Sequence, residues 1–185
     1  MQHLFTRIKN YGKITMLDIV ARGLNKGANF MTKTNALRIL DSTGIQYLIR
    51  EYDVSDNKLD GMSVAHKIGI DSSFVFKTLV TNGKTKGINV FVIPVEYELD
   101  LKKAAVSAGD KFIELLKTRD LEPLTGYIHG GCSPVGMKKS FPTFIEESAL
   151  LYETINVSAG RIGLQMELTP RDLAHLTGAV FCDLI

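Results

Sequence analysis

The 185-residue sequence predicts an α/β fold of the α+β kind, with a mixed β-sheet flanked by helices. Three observations lead there. FVFKTLVT (74–81) and INVFVIPV (88–95) have the apolar, β-branched composition of strands, and NGKTKG between them reads as a hairpin loop. Short segments opened by Thr, Ser or Asp and closed by Gly carry helix-capping signals. The two kinds alternate along the chain, without internal repeats or low-complexity stretches.

The elements follow in order. Thr34 can cap a helix with Ala36, Leu37, Ile39 and Leu40 on one side, ended by Gly44. IQYLIREYDV (45–54) reads as a strand. Ser63 can cap the short helix VAHKI, stopped by Gly69. After the hairpin, Asp100 can cap LKKAAVSA, ended by Gly109. TFIEE, TINVS and RIGLQMEL are strand-like. Thr169, with Pro170 at the first helical position, opens RDLAHL, and AVFCDL closes the chain as a strand.

Composition narrows the function classes. Hydrophobic residues make up 45% and charged residues 23%, a globular balance. The formal net charge is only +2, so no strong nucleic-acid field covers the whole chain. No apolar run reaches the roughly 18 residues of a membrane span, and no secretory signal pattern opens the sequence. Two cysteines, Cys132 and Cys182, make neither a disulfide framework nor a metal cluster. The expectation is a cytoplasmic protein with no metal. Residues 1–30 differ from the rest, with five basic side chains against Asp18, a net of +4. They read as an N-terminal extension, either a basic arm for nucleic acid or an appendage without a role, and the second is favoured. Residues 31–185 form the domain.

Two segments carry candidate chemistry. In FVFKTLV, Lys77 is a lone cation in an apolar strand. It is either an edge-strand lysine that blocks aggregation or a pocket lysine aimed at an anionic or carbonyl group. In GYIHGGCSPVGMKK (126–139), glycines permit positive φ and close approach of backbone to a ligand. The spacing matches neither a dinucleotide-binding nor a phosphate-loop glycine motif. Exposed amides around Gly130–Ser133 are candidates for holding an oxyanion or carbonyl, against the plainer explanation of a tight turn. Cys132 reads as a small packing residue rather than a nucleophile, since His129 is close in sequence but adjacency in sequence is not catalytic geometry. Cys182 reads as core, and His66 and His175 as surface or satisfied residues. Lys138 and Lys139 are either phosphate contacts or solvated.

FVFKTLV, LDLKKAA, GYIHGGCSPVGMKK, INVSAGRIGLQMEL and RDLAHL occur here in the order found in the YbaK/EbsC family, which this chain resembles from about Met31 to the end. That family comprises free-standing aminoacyl-tRNA deacylases related to the editing insertion of bacterial prolyl-tRNA synthetases. The resemblance implies a barrel-like mixed sheet, no cofactor, and hydrolysis of a mischarged tRNA, with Cys-tRNA(Pro) the typical substrate. Ala-tRNA(Pro) deacylation and a non-catalytic regulatory role on the same fold are the alternatives. The implied partners are mischarged tRNA(Pro) and prolyl-tRNA synthetase. Lys77 matches the essential lysine. Gly130 and Pro134 match the ends of a GxxxP motif, with Gly131 and Ser133 inside it. Tyr52 matches a tyrosine that lines the site, and Ser158 the serine of a VSGG-type turn. The sequence departs from the pattern at Ala159, which replaces a turn glycine, and at Gln165, where relatives can carry Asp. An aromatic of some relatives falls near Asp60.

Overall fold

The computed structural model describes residues 33–185. The segment 1–30 and the restart at Met31 lie outside them. Helix α1 (Asn35–Thr43) begins where expected: the Thr34 side chain accepts a hydrogen bond from the Leu37 amide, and Gly44 ends the helix at φ 72°. Ala36, Leu37 and Leu40 form its buried side.

Strand β1 (Leu48–Glu51) is shorter than the expected 45–54. It has one partner strand, and Asp53 turns the chain by accepting from the Ser55 amide at 3.1 Å. Helix α2 (Gly61–Ile68) is capped by Asp60 rather than Ser63. The Asp60 carboxylate accepts from the Ser63 amide at 3.0 Å and its hydroxyl at 2.6 Å, so Ser63 is the capped residue. Strand β2 (Phe76–Gly83) starts later than expected because Asp71 folds Ser72–Phe74 into a single 3-10 turn. Strand β3 (Gly87–Pro94) follows, and then α3 (Leu101–Ser107), capped by Asp100.

Strand β4 (Ile113–Leu115) and helix α4 (Thr118–Thr125) have no counterpart in the sequence expectation. Pro123 inside α4 and the lack of a side-chain cap at Lys117 remove the usual helix signals. Strands β5 (Thr143–Glu146), β6 (Ile155–Arg161) and β7 (Leu164–Leu168) match the three strand-like segments, with β6 running three residues past TINVS. Helix α5 (Pro170–Thr177), capped by Thr169, and β8 (Val180–Cys182) end the chain.

The fold class is the mixed α/β arrangement expected, but the strands form two sheets rather than one closed barrel. One has the order β1-β7-β6, the other β4-β2-β3-β5-β8. β3–β5 and β5–β8 are parallel and the other ladders antiparallel. An isolated parallel bridge from Val75 to Asn156 joins the sheets near the start of β2. Between them lies a core of Phe76, Val92, Ile145, Val157, Met166 and Leu168, closed by Leu37 and Leu40 of α1. Among the described residues no helix is long and apolar enough to cross a membrane.

One loop contact has a consequence for stability. Asp110 fastens the β2–β3 hairpin, accepting from Lys86 N at 2.7 Å, Thr85 N at 2.8 Å and Thr85 Oγ1 at 2.9 Å. Lost hydration pushes its pKa up, but these donors outweigh that and hold the carboxyl well below the usual carboxylate range. A depressed folded pKa stabilises above the unfolded value of about 3.9 and loses that contribution as pH falls through it. Asp110→Asn should therefore lower the urea midpoint at pH 7, and the gap to wild type should shrink steadily below about pH 4.

Candidate functional site

The site begins with a gap in a sheet. β2 pairs with β3 along its full length, from Phe76 opposite Pro94 to Gly83 opposite Gly87. On its other side β4 covers only Thr81–Gly83. The Leu116 amide then donates to Val80 O at 2.9 Å, and at the other end stands the Val75–Asn156 bridge. Among the described residues no strand pairs with this second edge from Phe76 to Leu79. A cavity of about 530 Å³ opens there. Its walls include β2, Asp60–Met62 and Val64 of α2, Leu121 of α4, Gly130 and Cys132, with Tyr52, Ser158 and Gln165.

Lys77 projects at this edge with its side chain 25% exposed, and its Nζ donates to Glu98 Oε1 at 3.0 Å. Glu98 is 90% exposed, so the pair is screened by water and contributes less than about 1 kcal/mol. It does not fix Lys77 against a competing anion. β2 is an inner strand only where β4 covers it, and Lys77 lies on the open part of its edge, where its charge also opposes pairing with a further strand.

The glycine-rich loop forms another wall. Gly130 has φ 80°, and its backbone lines the cavity. Gly131 lies behind it with no room for a side chain: an added Cβ would stand 3.0 Å from Ile162 N and 3.2 Å from Arg161 C. The Gly131 amide donates to Ile128 O at 3.0 Å, so it is not available as an oxyanion donor. Ser133 is fully buried and its Oγ accepts from the Val135 amide at 3.2 Å, which shapes the loop. Pro134 follows within the same buried stretch. Of the expected site residues, the structure brings Tyr52, Lys77, Gly130 and Ser158 to the cavity, while Gly131, Ser133 and Pro134 stand behind it.

Cys132 lines the cavity but is 9% exposed, and burial pushes its thiol pKa up to about 12 despite a hydrogen bond to Thr125. It stays protonated at neutral pH and is a poor nucleophile. Lys138 Nζ donates to Glu122 O at 3.2 Å and Pro123 O at 3.4 Å, so this lysine satisfies the open end of α4. Glu98, Thr78 and the α4 residues of the wall went unnoticed in the sequence. Glu98 had no signal there, because its partner lies 21 positions away. Asp120 in the first turn and Gly126 at the end were the available cues for α4.

The aminoacyl-tRNA editing domain matches residues 61–176. The chain belongs to the aminoacyl-tRNA editing domain family. A curated relative from Enterococcus faecalis, EbsC, named as a candidate Cys-tRNA(Pro)/Cys-tRNA(Cys) deacylase, is 47% identical over 152 residues, covering 82% of this chain and 93% of that protein. A crystal structure described as a candidate trans-editing enzyme for prolyl-tRNA synthetase superposes with TM-score 0.73 at 27% identity, covering 83% of this chain and 98% of the other. The hypothetical protein APE2540 shares the fold at TM-score 0.74 and 23% identity, covering 82% of this chain and 99% of its own. In this editing domain the matched region holds Lys77, the glycine-rich loop, Ser158 and Gln165, whereas Tyr52 precedes it.

The loop makes a prediction. Gly130→Ala should cost about 1–3 kcal/mol through left-handed backbone alone, read as a lowered midpoint in thermal or urea unfolding. Gly131→Ala should also lower the unfolding midpoint, because its Cβ would press on the backbone of Arg161 and Ile162 and displace the loop.

Proposed function

We propose that the chain is a trans-editing deacylase that removes cysteine from Cys-tRNA(Pro). The observation that supports this most is the editing-domain match combined with a cavity, beside an open strand edge, that is lined by both a cation and a glycine of the loop. The volume of about 530 Å³ lies in the range of small-ligand sites and suits an aminoacyl group with its terminal ribose. The relative's name supports cysteine as the amino acid, with tRNA(Pro) or tRNA(Cys) as its carrier.

An aminoacyl ester is already activated, so orientation and charge stabilisation can supply much of the rate. Lys77 holds the ribose or phosphate of the acceptor end. Gly130 lets the ester carbonyl approach the loop backbone. The nucleophile is the substrate's own thiol: sulfur attacks the ester carbonyl, a C–S bond forms, the C–O bond to the ribose breaks, and the thiol proton ends on the ribose oxygen. Water then opens the cyclic thioester. The raised pKa of Cys132 supports this assignment, because the protein thiol in the cavity is a weak competitor. Prolyl-tRNA synthetase is the proposed partner that delivers the tRNA, and residues 1–30 are proposed to be dispensable for the chemistry.

Lys77→Ala should abolish turnover of Cys-tRNA(Pro) while thermal unfolding stays near wild type. A variant with wild-type activity would remove the central residue of this proposal. Cys132→Ser should retain most activity. A hundredfold loss in a folded protein, about 2.7 kcal/mol of barrier, would assign the thiol to the enzyme. A chain starting at Met31 should keep its rate at physiological salt, with only a screened, low-salt loss of tRNA affinity from the missing +4.

A further inference from the structure

Buried polar atoms without a hydrogen-bond partner are uncommon and costly, so their location carries information. Among the described residues five side chains hold such an atom: Tyr52 OH, Thr78 Oγ1, Ser148 Oγ, Asn156 Oδ1 and Gln165 Oε1. Three of them, Tyr52, Thr78 and Gln165, line the cavity described above.

Tyr52 and Gln165 belong together by register. Arg50 stands opposite Gln165, and the Tyr52 amide donates to Gly163 O at 3.1 Å, which extends the β1–β7 ladder. Tyr52 and Gln165 are therefore diagonal neighbours on one sheet face, with Ser158 directly across from Gln165 on β6. Tyr52 is 9% exposed and Gln165 6%.

The chemistry of this face is specific. The Gln165 carbonyl oxygen can only accept, and the Tyr52 hydroxyl can accept or donate. The next carboxylate on the face, Glu167, is occupied by Arg50 and by Thr154 Oγ1 at 2.8 Å. Of the nearby cations, Lys77 pairs with the exposed Glu98 and Lys67 with Asp56, and Lys67 Nζ lies 5.9 Å from the Tyr52 ring centre. The result is two uncharged side chains, each with an acceptor oxygen that no hydrogen bond meets. It suits a group with several N–H donors, which a ribose hydroxyl, as both donor and acceptor, does not require.

An aminoacyl ester has one such group. We infer that Tyr52 and Gln165 form the subsite for the α-ammonium of the aminoacyl moiety, an inference that rests on the deacylase proposal. The subsite recognises the ammonium by hydrogen bonds without a counter-charge. It orients the ester from the end opposite the ribose, which Lys77 holds. Gln165 is then a specificity residue whose side chain is suboptimal in the empty protein.

The test compares cysteinyl-tRNA(Pro) with its α-hydroxy counterpart, in which the ammonium is replaced by a hydroxyl of similar size. The kcat/KM ratio of the two esters is measured for wild type, Tyr52→Phe, Gln165→Leu and Gln165→Glu. Comparing ratios between variants cancels the intrinsic reactivity of each ester. The expected result is a preference for the amino ester that falls about tenfold to hundredfold in Gln165→Leu, falls less in Tyr52→Phe, and is kept or raised in Gln165→Glu. Thermal unfolding of free Gln165→Leu should match or exceed wild type, because an unpaired buried oxygen is removed. An unchanged ratio in both Tyr52→Phe and Gln165→Leu, with both esters cleaved, overturns the subsite and leaves the deacylase proposal standing. Marked destabilisation of Gln165→Leu overturns it too, by assigning the amide to the fold. If wild type cleaves neither ester, the deacylase proposal fails and the subsite with it.

Discussion

The open edge of β2 between Phe76 and Leu79 is the constraint on which the site depends. A strand with one unpaired side leaves backbone groups that need water or a ligand, and a sheet usually closes such an edge. Here closure is prevented at both ends. β4 is only three residues long and stops at Leu115, while β6 touches β2 through the bridge at Val75. The space left between these two anchors is the cavity, and Lys77 lies on the strand that borders it.

The walls divide the work of recognition. Lys77 and the Gly130 loop approach from the five-stranded sheet and the long β5-proximal loop. Tyr52, Ser158 and Gln165 come from the three-stranded sheet. Rigid parts hold the loop in place. Tyr127 OH donates to Val135 O at 2.7 Å, and Asn35 Nδ2 of α1 donates to Gly136 O at 2.8 Å. Gly160 completes this support, since a Cβ there would stand 2.8 Å from Tyr127 Cε1. The irregular backbone of 126–139 is thus tied down from two sides without a covalent link, which lets glycines shape the cavity without loosening it.

Much of this was legible in the sequence wherever a local rule decides the outcome. Thr34, Asp100 and Thr169 cap helices as their side-chain chemistry predicts, and Gly44, Gly69 and Gly178 end α1, α2 and α5 with positive φ. The FVFKTLVT–INVFVIPV hairpin needed only composition and a loop. What failed depended on competition or distance. Asp60 outcompetes Ser63 for one helix start because it lies three residues earlier with a stronger acceptor. Helix α4 forms despite Pro123 because packing of Leu121 against Val80 and Val90 outweighs propensity. The division into two sheets, joined by a long-range bridge from Val75 to Asn156, is a pairing that no periodicity encodes. In the site, Lys77 and Gly130 stood out as chemical anomalies in their segments, whereas Gln165 looked like a change of family pattern. Its unpaired oxygen became visible only when three strands were brought together.

If the substrate's own thiol attacks the ester, as proposed, the substrate's side chain decides the rate. The most direct measurement is single-turnover deacylation of cysteinyl-tRNA(Pro) and seryl-tRNA(Pro) by the wild-type protein, at saturating enzyme so that binding differences drop out. The two esters differ by one atom, and a hydroxyl is far less nucleophilic than a thiol. The account predicts that the cysteinyl ester is cleaved at least about a hundredfold faster, a barrier difference of about 2.7 kcal/mol. Equal rates would contradict it, because they would place the attacking group in the protein or in bound water rather than in the substrate.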